Sequence, residues 1–149
     1  MAAIVHHLAL DVSGPLSGIR VLELGSFIAG PFAGQLLGDY GAEVIKVEPP
    51  EVGDPMRKWG HCDAEGHSFW WPAIARNKQS IAINLRAAEG RAVVRELALH
   101  SDVVLENFTP GRLAEWQLGY EHLAANNPGL IMTHVSGFGQ TGPRATDPG

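Results

Sequence analysis

Residues 19–48 hold a strand, a turn, a helix and a second strand in immediate succession, and this unit restricts the fold more than any other feature. "IRVLEL" (19–24) is a short, nearly continuous apolar run, as expected of a strand buried on both faces. "GSFIAGP" then turns the chain. Pro31 suits the first turn of a helix, where a missing N–H costs nothing. Phe32, Ala33, Leu36, Leu37 and Tyr40 recur at helical spacing, and Gly41 can end the helix. "AEVIKVE" (42–48) is a second strand, stopped by Pro49 and Pro50.

The alternation continues. After an irregular stretch from Glu51 to about Asn77, "SIAIN" (80–84) predicts a third strand. "AAEGRAVVRELALH" (87–100) predicts an amphipathic helix with Val93, Val94, Leu97 and Ala98 on one side. "DVVLEN" (102–107) is a fourth strand, short helical pieces lie near 112–117 and 120–126, and "LIMTHVS" (130–136) is a fifth strand. Strands that alternate with helices give an α/β fold, a parallel sheet with flanking helices on both faces. Such sheets bind ligands at the carboxyl ends of their strands. The loops "GSFIAGP", "EPPEVGDP", "ENFTPG" and "GFGQTGP" leave such ends and are the expected site.

Each loop admits a chemical and a plain reading. Gly25 and Gly30 allow a backbone to approach a ligand closely, but the pattern is not GxGxxG. Glu48 sits where a ribose-binding acid could stand; the alternative is an ordinary strand–helix turn. Asn107 is an amide at a strand end, and Thr109-Pro110-Gly111 either starts a helix facing an anion or simply caps it. Arg76, Lys78 and Arg86 flank the third strand and read as a phosphate clamp or as a solvated basic face. "HCDAEGH" (61–67) offers metal-ligand types without the second half of a zinc site, so it reads as a surface loop. Trp59, Trp70 and Trp71 could wall a ligand, pack the loop or meet a subunit. His6 and His7 read as solvated, and His134 as core or rim.

Charge and cysteine content narrow the class. The net charge of −5 argues against nucleic acid as a partner, yet five basic residues between Arg57 and Arg86 face only two acids. The single Cys62 cannot form an internal disulfide and fits a reducing, cytoplasmic setting. "MAAIVHHLAL" has no basic start and is too short to span a bilayer, so residues 1–14 are expected to be a loose tail and no membrane is expected as a partner.

In combination the loops are more specific. "PLSGIRVLELGSFIAGPFAGQLLGDYGAEVIKVEPPEVGDPMRKWG", "NKQSIAINL", "DVVLENFTPG" and "SGFGQTGP" together resemble the class III CoA-transferases. That family includes carnitine and bile-acid CoA-transferases, formyl-CoA transferase and 2-methylacyl-CoA racemase. The resemblance covers residues 15–149 and implies a Rossmann-like large domain, of which this would be the N-terminal part. It further implies a smaller domain, an interlocked homodimer of the full-length form, acyl-CoA and carboxylic acid substrates, coenzyme A as the group carried, and no metal. On the matching positions it assigns CoA contacts to Ile28, Ala29, Pro49, Ile83, Asn84, Leu85, Arg86, Asn107, Phe108 and Thr109. Relatives often carry Arg where this chain has Pro49 and Glu115, and Arg112 is the nearest substitute for the second. The transferases' nucleophilic aspartate would lie beyond Gly149, and Asp147 does not match it. The resemblance therefore implies a CoA-binding portion that lacks its nucleophile. The alternatives are a racemase-type member, whose histidine would follow Gly149, and a non-catalytic CoA- or nucleotide-binding module.

Overall fold

In a computed structural model, residues 14–147 are described; the expected tail, apart from Gly14, lies outside them, as do His6, His7, Pro148 and Gly149. The elements are β1 (Arg20–Glu23), α1 (Ala29–Asp39), β2 (Glu43–Glu48), a tight helical turn (Pro55–Lys58), α2 (Trp71–Ile74), β3 (Lys78–Ala82), α3 (Ala88–Leu99), β4 (Val103–Glu106), α4 (Arg112–Glu115), α5 (Tyr120–Ala124) and β5 (Ile131–His134). All strand pairs are parallel and the sheet order is β3-β2-β1-β4-β5. The chain builds outward from β1 to β3, then returns to lay β4 on the other side of β1. That reversal opens a crevice beyond the ends of β1 and β4, the usual ligand position in such sheets.

The two faces of the sheet are covered unequally. On one, Leu22, Leu24, Val47 and Val104 pack with Ile83 and with Val94, Ala98, Leu113, Leu118, Leu123 and Leu130 from the helices and connections. On the other, Val21, Val44 and Leu105 meet Ala33 and Leu37 of α1. Strand alternation also turns Glu23 and Lys46 toward the α1 face, where they are register partners and fully buried. Gly34 lets α1 lie against them, since a Cβ there would sit 2.0 Å from Glu23 Oε2.

Three details differ from the sequence reading. β3 starts two residues early, at Lys78, because the buried Lys78 amine is drawn to Glu23 Oε2 at 2.7 Å and Pro31 O at 2.6 Å. Ile83 then leaves the strand and becomes cavity wall. Within α3, Val94 and Ala98 are buried but Val93 is 47% exposed, one step off the inward stripe. The irregular stretch contains the Pro55–Lys58 turn and α2.

Candidate functional site

A cavity of about 580 Å³ opens at the carboxyl ends of β1 to β4. Its size is typical of small-molecule sites, roughly 300–1,000 Å³. One wall is Leu24, Gly25 and Ser26; a second is the loop from Pro49 to Pro55; the third is Ile83 to Arg86, with Phe108 and Trp116 closing the side. Phe108 and Trp116 meet edge to face with centroids 5.5 Å apart.

The expected contacts divide by position. Pro49, Ile83, Asn84, Leu85, Arg86 and Phe108 line this cavity. Ile28 and Ala29 begin α1, next to the Gly25–Ser26 wall, with Ile28 48% exposed. Asn107 stands behind that wall. Its Oδ1 accepts the Ser26 N–H at 2.8 Å and its Nδ2 donates to Ser26 O at 3.0 Å. A Cβ on Gly25 or Gly30 would come within 2.5 or 2.8 Å of Asn107 Oδ1. Both glycines therefore make room for this amide rather than only for a ligand. Thr109 lines a second, smaller cavity of about 220 Å³, with Glu106, Tyr120, His134 and Gln140. There His134 Nδ1 pairs with the buried Glu106 carboxylate, whose other oxygen accepts the Phe108 N–H at 2.7 Å. Arg112 lines neither cavity: it pairs with Glu115 at 2.7 Å and lies 5.8 Å from the Trp116 ring centroid.

Most of the apparent basic surface is neutralised within the fold. Arg76 binds Asp39 through two nitrogens, at 3.0 and 2.5 Å. Arg57 makes a two-pronged contact with Glu48, at 2.7 and 2.8 Å, and stacks over Trp71 at 4.1 Å. Lys78 is consumed by Glu23, and burial lowers its pKa against the opposing pull of the Glu23 charge. Arg86, exposed on the cavity wall, is left as its cation.

Glu48 is not offered to a ribose. Ser80 Oγ donates to Oε1 at 2.5 Å and the Asp54 N–H to Oε2 at 2.7 Å, in addition to Arg57. Burial raises its pKa, but bonds from Arg57, Ser80 and the Asp54 N–H outweigh that and bring it to about 2. Beneath it, Lys46 Nζ contacts Glu23 Oε1 at 2.9 Å, Asp54 Oδ2 at 2.8 Å and Gly25 O at 2.8 Å. Glu23, Lys46, Asp54 and Lys78 form a charge-balanced buried quartet, as burial of ions requires.

The histidine–acid loop is held by itself. Asp63 Oδ1 accepts the N–H groups of Glu65 and His67, at 3.1 and 2.7 Å, and Oδ2 meets His67 Nδ1 at 3.1 Å. Trp59 and Trp70 stack edge to face at 6.2 Å, and none of the three tryptophans there lines the main cavity. Gly53 and Asp54 fall within the expected loop "EPPEVGDP", whereas Trp116 is a wall residue that the sequence pattern does not single out. Trp116 follows α4, well beyond the end of β4, and reaches the wall by packing against Phe108.

The parallel order, the cavity at the strand ends and the motif residues around it converge with comparisons to known proteins. The model of CoA-transferase family III matches residues 16–149. The chain belongs to that family. It is 66% identical over 129 residues to succinyl-CoA–D-citramalate CoA-transferase of Chloroflexus aurantiacus, covering 87% of this chain and 32% of the relative. It is 45% identical over 129 residues to human succinyl-CoA:glutarate CoA-transferase, covering 87% and 30%. The crystal structure of a CaiB/BaiF family protein from Brucella suis superposes with a TM-score of 0.84 at 48% identity, covering 91% of this chain and 37% of that one. The chain thus spans about a third of the length of these curated relatives. Among the described residues no helix is long and apolar enough to cross a membrane.

Proposed function

We propose that this chain supplies the CoA-binding part of a CoA-transferase that moves CoA between an acyl-CoA and a carboxylic acid. The carrying observation is the cavity of about 580 Å³ walled by Pro49, Ile83–Arg86 and Phe108, positions where the family resemblance puts CoA contacts. Its apolar walls Leu24, Val47, Ile83, Leu85, Phe108 and Trp116 suit the pantetheine and adenine surfaces, and Arg86 suits a phosphate. Ile28 and Ala29 then meet the CoA through their backbone at the start of α1, and Thr109 approaches it from the smaller cavity. Asn107 acts by holding Ser26 against the ligand. Arg112 contributes by bracing Trp116.

The acid is best read as a dicarboxylate, because the relatives named above are transferases for citramalate and glutarate. The same names favour transfer over racemisation. No residue of this chain is assigned to the covalent step, attack of an aspartate carboxylate on the thioester. An interlocked homodimer of the full-length form and a cytoplasmic location complete the reading. The exposed Phe32 and Leu36 of α1 with Tyr40 at its end, and the lone Cys62, support them in turn.

Calorimetric titration of the folded chain with CoA tests the reading. Saturable binding supports it. Absence of heat up to millimolar CoA overturns it.

A further inference from the structure

The wall at Gly25–Phe27 is held by side chains from three other segments, and one buried ion pair grips it at both ends. Lys46 Nζ donates to Gly25 O at 2.8 Å. Asp54 Oδ1 accepts the Phe27 N–H at 3.2 Å, while Asp54 Oδ2 contacts Lys46 Nζ at 2.8 Å. Between them Asn107 takes both backbone groups of Ser26. Phe27 has φ of 65°, a left-handed conformation that a bulky residue adopts at a cost and keeps only where its surroundings hold it. Phe27 is 41% exposed, so burial in the core does not account for this conformation.

We propose that Asp54 and Lys46 are positioning residues for the ligand. Their ion pair holds the Gly25–Phe27 turn, with Phe27 in its left-handed conformation, and thereby fixes the cavity wall beside the start of α1. The same aspartate anchors the opposite wall. Its N–H is bound by Glu48 Oε2 at 2.7 Å, and its Oδ1 also accepts the Met56 N–H at 2.8 Å, opening the Pro55–Lys58 turn. One buried residue thus spaces the Gly25–Ser26 wall from the Pro49–Pro55 wall. Such an arrangement sets the width of the cleft before any ligand arrives, which lowers the cost of binding. This inference rests on the reading of the cavity as a CoA site.

The test combines amide hydrogen exchange with CoA titration of the whole chain, wild type and Asp54→Asn. In the wild type the Phe27 amide should exchange as slowly as the strand amides of Val21 and Val104; exchange at the rate of an open loop overturns the proposal even if the variant fails to fold. In Asp54→Asn, Phe27 exchange should accelerate while Val21 and Val104 remain protected. If the turn then holds its binding shape about a tenth of the time, the CoA Kd rises about tenfold. Faster Phe27 exchange with an unchanged Kd overturns the positioning role. If the wild type binds no CoA, the CoA reading fails, and the exchange measurement alone decides whether the ion pair holds the turn.

Discussion

Asn107 binds Ser26 by both of its backbone groups, joining the end of β4 to the turn after β1 at the point where the sheet order reverses. A single amide therefore ties together the two segments that diverge there. Asn107→Ala strips two backbone groups of their partners, each costing about 1–3 kcal/mol if left unsatisfied in a part-buried place. Gly25→Ala forces a methyl to within 2.5 Å of the same Asn107 oxygen and should also destabilise. Combined, the two changes should cost less than their sum, because the added methyl no longer meets the amide. Urea unfolding of the two single variants and the double variant measures this; strict additivity would show that the glycine is not there for Asn107.

Arg86 is the cation of the main cavity, and it is exposed. Arg86→Ala should leave the unfolding midpoint nearly unchanged and weaken CoA binding about 10- to 100-fold, the worth of a charged hydrogen bond to phosphate. The loss should shrink as salt is raised, since the contact is near the surface. Titrations at low and high ionic strength check both the size and the salt slope.

How far the sequence revealed the molecule follows from which signals are local. β1, α1, β2 and α3 were legible because their periodicity and their Gly and Pro boundaries lie within the segment itself. β3 was misplaced by two residues, since its start depends on a lysine reaching Glu23 across the sheet. The wall residues Ile83–Arg86 follow only from the family resemblance, because the local pattern places Ile83 and Asn84 inside the third strand. The apparent basic patch dissolves because Arg57 turns back to Glu48 at the end of β2, while Arg76 and Lys78 find acids in distant parts of the chain, pairings that no local pattern encodes. Glu23 and Lys46 did carry a clue: a charge inside an apolar strand needs an opposite partner.

Lys46 touches two carboxylates and a carbonyl while wholly buried. Lys46→Met keeps much of the volume but leaves Asp54 without its ion-pair partner and Glu23 with Lys78 alone. Loss of one member of a buried ion network costs about 3–5 kcal/mol. A thermal midpoint falling by only a degree or two would contradict this account of the quartet.

Glu48 gives the fold a pH dependence of predictable sign. Its carboxyl titrates at about 2 in the folded chain, below its ordinary value of 4.5. The folded state therefore binds this proton less readily than the unfolded state does. The resulting stability is fully present above about pH 5 and is lost progressively as pH falls toward 2. The depression corresponds to roughly 3 kcal/mol at most, and solvent around the partly exposed Arg57 reduces it to roughly 1–3 kcal/mol. Glu48→Gln removes the titrating group, so its stability deficit against the wild type should be largest near neutral pH and should narrow between about pH 5 and 3. Unfolding free energies of both proteins across that range provide the check. A gap that stays constant with pH would mean that Glu48 holds Arg57, Ser80 and Asp54 by shape and hydrogen bonding, without its charge.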